Sequence, residues 1–76
     1  MTLEQIETRI RQAFPDADVA VFDLTGGGDH WEVRVASSNF SGKTRIRQHQ
    51  SIMDLFAQEL KSNEVHALSI KTLIKT

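Results

Sequence analysis

The sequence predicts an α+β domain in which two helices cover one face of a three-stranded mixed sheet, in the order α-β-β-α-β. Three observations carry this reading. Apolar residues recur at helical spacing near the start and again after residue 44, the stretch HWEVRVA alternates strictly, and a glycine-rich reversal stands just before it. Seventy-six residues make one domain, 1–76, near the lower limit at which a single core stabilises itself.

Thr2 followed by Gln5 has capping-box spacing, and Leu3, Ile6, Ile10 and Phe14 recur on one face, so the first helix spans about Leu3 to Ala13 and ends before Pro15. ADVAVFDL, Ala17 to Leu24, is short and β-branched enough for a strand. TGGGD then supplies glycines able to take positive φ at a reversal. Trp31, Val33 and Val35 alternate with Glu32 and Arg34, giving a half-buried second strand and a hairpin. SSNFSGKT is a polar connection anchored by Phe40, with Gly42 its single glycine. From about Thr44 to Lys61 one long helix is expected, its buried face marked by Ile46, Met53, Phe56 and Leu60 and broadened by Ile52 and Leu55. VHALSIKTL forms the last strand. The long helix carries the chain back across the sheet, so strand three runs parallel to strand two.

That topology gives meaning to two histidines. His30 opens strand two and His66 opens strand three, and parallel strands start at the same sheet edge. Neighbouring strands lie about 4.8 Å apart, so both rings reach one end of the domain. Their parities differ, however: His30 goes with Glu32 and Arg34 on the open face, and His66 goes with Leu68 and Ile70 on the covered one. One account of the pair is metal ligation, because neutral imidazole suits zinc, copper and iron. Two histidines do not close a tetrahedral site, so a partner supplying thiolates would have to share the metal. The other account is two edge histidines bonded to backbone or water. His49, in RQHQ, lies beside the buried stripe of the long helix and is assigned a structural role with Phe40 and Gly42.

The bulk composition argues against several classes. The formal charge is −1 with 25% charged residues, so any basic surface has to be local. The absence of cysteine removes disulfides and thiolate metal sites and fits a reducing cytoplasm. No apolar run approaches membrane-spanning length, so no membrane association is expected, and the start, MTLEQIETRI, has helix signals rather than those of a secretion leader. Lys43, Arg45 and Arg47 cluster where the long helix begins, against its dipole, at a cost of a few tenths of a kcal/mol per charge (~0.3). Such a helix start suits phosphate, nucleic acid or an acidic protein surface, and equally an ordinary solvated face. NFSG lacks the two-glycine backbone clamp of ordinary KH domains. TGGGDHW is followed by a strand and by no Gly-Lys-Ser/Thr, so it is not a phosphate loop. Ser37, Ser38 and Ser41 have no evident base, and no carboxylate pair frames a cleft, so an enzyme is not expected. The open sheet face leaves a weak homodimer as a further expectation.

Across nearly the whole chain the sequence resembles the BolA-like family. The matching stretches are DLTGGGDHWEVRVASSNFSGKTRIRQHQ and VHALSIKT, made specific by Phe40-Ser-Gly-Lys43, Gln48-His49-Gln50 and His66-Ala67-Leu68. The resemblance implies a domain similar to the class II KH fold. It also implies pairing with a monothiol (CGFS-type) glutaredoxin around a shared, bridged 2Fe-2S cluster. The glutaredoxin and its glutathione would give sulfur and this domain nitrogen, with no cofactor in isolation. His66 stands where the family's C-terminal histidine ligand stands. Members often place Cys or His in the hairpin loop; here that loop is Gly26-Gly27-Gly28, and His30 is the nearest substitute. Some members are linked to transcriptional regulation and DNA binding, which would fall here to Lys43, Arg45 and Arg47.

Overall fold

The computed structural model describes Met1–Thr76. Its elements are α1 (Leu3–Ala13), β1 (Asp18–Asp23), β2 (His30–Ser37), α2 (Arg45–Met53), α3 (Ala57–Ser62) and β3 (Ala67–Ile74), with short 3-10 turns at Ser38–Phe40 and Asp54–Phe56. The start of α1 is a reciprocal cap. The Thr2 hydroxyl accepts from the Gln5 amide at 3.1 Å, and Gln5 Oε1 accepts from the Thr2 amide at 2.9 Å.

β2 is the central strand, antiparallel to β1 and parallel to β3. Trp31, Val33 and Val35 face the helices and are buried, and their β3 partners are Leu68, Ile70 and Thr72. Glu32 and Arg34 point to the open face, where Arg34 lies 4.9 Å over the Phe22 ring. The core beneath the helices gathers Ile6, Ile10, Phe14, Phe40, Ile52, Phe56 and Val65 against the β2 residues. Each such aliphatic side chain contributes about 1.5–3 kcal/mol by leaving water.

Asp16 ties the end of β2 to the turn after α1. Its carboxylate accepts from the Ser38 amide, the Ser38 hydroxyl and the Ser37 hydroxyl, each at 2.8 Å. These bonds, the Ser38 amide foremost, lower its pKa to about 2.

The expected long helix is instead two helices separated by a 3-10 turn at Asp54–Phe56. The cause lies on α1. Arg9 donates to the Leu55 carbonyl at 2.9 Å and to Glu59 Oε1 at 2.6 Å, and its guanidinium lies 5.1 Å from the Phe56 ring centre. A carbonyl held by Arg9 competes with the amide one turn later, and the helix restarts at Ala57.

Of the expected buried face, Ile52 and Phe56 are buried and Leu55 and Leu60 half-buried, but Ile46 is 81% exposed and Met53 half-exposed, and Gln48 faces the core in their place. Gln48 earns its place by hydrogen bonding. Its amide donates to the carbonyls of Phe40 (3.2 Å) and Lys43 (2.9 Å), and its Oε1 accepts from the Thr72 hydroxyl at 2.6 Å.

Candidate functional site

The hairpin loop is held by one carboxylate. Asp23 accepts from the amides of Gly26 (3.0 Å), Gly28 (3.1 Å) and Thr25 (3.4 Å). Gly26 and Gly28 take φ of 77° and 75°, which lets their amides turn inward. Trp31, buried in the core, donates its indole N–H to the Gly28 carbonyl at 3.0 Å. The loop thus delivers Asp29 and His30 to the start of β2 along a fixed path.

His66 lies immediately before β3, not within it. The Asp29 carbonyl accepts from two successive amides, His66 at 2.8 Å and Ala67 at 3.2 Å. Two amides converging on one oxygen break the strand alternation. His66 therefore does not follow Leu68 and Ile70 to the covered face, as their shared parity suggests; it is exposed at the rim. The rings of His30 and His66 stand 5.9 Å apart, with planes only 5° from parallel.

His30 Nδ1 is shielded from solvent and has no aligned hydrogen-bond partner. The Asp29 carboxylate faces it at 3.0 Å, at ion-pair distance but outside hydrogen-bond geometry. Asp29 Oδ1 also accepts from the Thr25 hydroxyl at 3.1 Å. The His30 ring first, and the Thr25 hydroxyl after it, hold the Asp29 carboxyl below the usual carboxylate range, against the opposing effect of its partial desolvation.

The donor set is two imidazoles. No group of three or more His, Cys, Asp or Glu side chains is gathered in a form that could hold a metal ion, and the chain has no cysteine. Two imidazoles alone could hold a metal only if the remaining ligands came from another molecule. An imidazole lone pair lies in the ring plane, so two parallel rings present their nitrogens side by side rather than crossing on one point.

Lys43, Arg45 and Arg47 form no ion pair or side-chain hydrogen bond, and they do not form one patch. Lys43 and Arg47 flank a shallow depression with Gln50, Ser51 and Asp54, while Arg45 faces β3 beside Thr72 and Leu73. Thr72 is six residues along the chain from His66, about 20 Å at strand rise, so Arg45 lies toward the other end of the sheet from the rim. His49 is half-buried beside Arg45, Ile70 and Thr72 and makes no side-chain hydrogen bond. Phe40 is fully buried, its ring 5.2 Å from Phe14, and Gly42 takes φ of 78° where the connection turns into α2. Asp29 is the rim residue that sequence reasoning missed; its only signal was a carboxylate directly preceding His30.

A family model described as BolA-like protein matches residues 5–76. Protein BOLA2 of Arabidopsis thaliana is 36% identical over 72 residues, covering 93% of this chain and 75% of the relative. Uncharacterized protein RP812 of Rickettsia prowazekii is 27% identical over 73 residues, 96% of this chain and 94% of the relative. Among solved structures, the BolA domain of SufE1 from Arabidopsis thaliana superposes with a TM-score of 0.84 at 30% identity, over 93% of this chain and 88% of that one.

Proposed function

The chain belongs to the BolA-like family, and from that premise we propose that it is a non-enzymatic adaptor in iron–sulfur trafficking or iron regulation, partnering a monothiol glutaredoxin in the cytoplasm. In this reading His66 and His30 help to ligate a bridged 2Fe-2S cluster. The observation that carries it is the pair of parallel imidazoles 5.9 Å apart at one rim, without the further ligands a self-contained centre needs. His66 and His30 would give nitrogen to such a cluster, and the glutaredoxin and its glutathione would give sulfur. What the domain itself contributes is placement: two unsaturated nitrogen donors on a rigid sheet edge, exposed to a docking partner.

The test is to titrate the domain into cluster-loaded monothiol glutaredoxin and record visible absorption and circular dichroism. A new mixed-complex spectrum is expected. His66→Ala should keep the far-ultraviolet spectrum of the fold and lose the mixed-complex signal; an unchanged visible spectrum would remove His66 from the ligand set.

A nucleic-acid reading rests on the three unpaired cations Lys43, Arg45 and Arg47. It requires an affinity that falls steeply with salt. Because Arg45 and its neighbours stand away from the rim, reversing Arg45 and Arg47 to Glu should abolish such binding and leave the glutaredoxin titration unchanged. No binding of DNA or RNA at low salt would retire this reading.

A further inference from the structure

We propose that Asp29 is the positioning residue of the two-imidazole rim: its carboxylate orients the His30 ring and fixes its proton, while its backbone carbonyl anchors the segment that carries His66. The inference deepens the adaptor reading and rests on it for its consequence, but its geometry belongs to this chain alone.

One residue touches both halves of the rim. On the side-chain half, Asp29 Oδ1 stands 3.0 Å from His30 Nδ1. That nitrogen is shielded from water and has no aligned hydrogen-bond partner, but the carboxylate 3.0 Å away attracts a proton placed there and repels a lone pair. The ring therefore keeps its proton on Nδ1 and turns Nε2 outward with its lone pair free, the arrangement by which a carboxylate orients a ligating histidine. The carboxylate is itself held, by the Thr25 hydroxyl at 3.1 Å. Thr25 and the glycines after it are fixed in turn by Asp23.

On the backbone half, the Asp29 carbonyl accepts from His66 and Ala67 together, at 2.8 and 3.2 Å. This doubled bond frees His66 from the alternation that would have buried it, and its ring stands parallel to that of His30. The two halves separate cleanly by mutation, because substituting the side chain leaves the carbonyl in place.

The experiment is long-range proton–nitrogen NMR of the imidazoles in the full metal-free chain at about pH 8, above the ordinary histidine range. Wild-type His30 is expected as the Nδ1–H tautomer. In Asp29→Ala its proton should redistribute toward Nε2, whereas Asp29→Asn, whose side-chain oxygen still carries partial negative charge, should retain part of the wild-type pattern. The His66 and Ala67 amides should be protected from exchange in wild type and in Asp29→Ala alike. Wild-type His30 carrying its proton on Nε2, an Asp29→Ala spectrum identical to wild type, or unprotected His66 and Ala67 amides would each overturn the proposal.

The second readout is affinity for cluster-loaded glutaredoxin, expected to fall about 10–100-fold in Asp29→Ala. A shifted tautomer with unchanged affinity and spectrum would refute positioning while leaving the adaptor reading intact. If the wild-type chain gives no mixed spectrum at all, the adaptor reading falls, and with it the ligand-positioning consequence assigned to Asp29.

Discussion

Replacing Gln48 by Leu tests why α2 turns a polar residue to the core. The side chain is only 7% exposed and bridges three partners: the carbonyls of Phe40 and Lys43 and the hydroxyl of Thr72. Leucine has similar bulk but satisfies none of them. The bond to the Phe40 carbonyl is buried, and an orphaned buried acceptor costs about 1–3 kcal/mol. The other two are partly accessible, so water recovers some of their loss, and each costs about 0.5–1.5 kcal/mol. The added apolar contact offsets part of this, leaving an expected destabilisation of about 2–4 kcal/mol. For a chain of 76 residues the whole stability is on the order of 4–11 kcal/mol, so the variant should be visibly compromised. The assay is urea unfolding followed by Trp31 fluorescence, since that indole is 2% exposed and reports on the core. The corresponding fall in melting temperature is about 10–25 °C. Thr72→Val alone should cost about 1 kcal/mol and couple to Gln48→Leu in a double-mutant cycle. A Gln48→Leu variant within about 0.5 kcal/mol of the parent would refute the bridging role.

Two other outcomes follow from backbone and charge. Gly42→Ala meets no atom within 4 Å of its new Cβ, so its cost is that of φ at 78° alone, about 1–2 kcal/mol by urea unfolding, with Gly42→Asn less affected. Asp16 ionises at about 2 in the folded chain against 3.8 for an unperturbed aspartate, so its contribution is complete above pH 3.8 and is lost as pH falls through about 2. Urea midpoints measured across that window should fall more steeply for wild type than for Asp16→Asn; equal slopes would deny the carboxylate its role.

How much of this was legible depended on whether the cause was local. The α1 boundaries, the hairpin and the parallel third strand followed from a cap, a turn and two periodicities, all written within a few residues of where they act. The break at Asp54–Phe56 was not legible, because the competitor for the Leu55 carbonyl is Arg9, 46 residues away. Nor was the core-facing residue in the first turns of α2. Apolar spacing put Ile46 inside, but the residue that faces the core there is a glutamine, whose fit depends on partners in a loop and in β3. The histidine rim was half legible: strand direction put both rings at one edge, while parity sent them to opposite faces. Parity failed for His66 because the doubled bond to the Asp29 carbonyl lies outside the regular ladder.

The same geometry explains how exposed rings can be placed firmly. An imidazole left at the surface gains no rigidity from burial, so its neighbours must supply it. His30 is followed by Trp31, 2% exposed, and His66 is preceded by Val65, 1% exposed. Each ring is thus one residue from an anchor in the core, and the Trp31 indole also grips the loop through the Gly28 carbonyl. Burial fixes the backbone on the inner side of each histidine, and Asp29 links the two on the outer side. Removing either imidazole leaves these anchors untouched, so the rim can lose a nitrogen donor without losing the fold. Truncating Trp31 or Val65 would loosen both together, and ligand loss in such a variant would say nothing about ligation. The informative substitutions are therefore those at the rim itself.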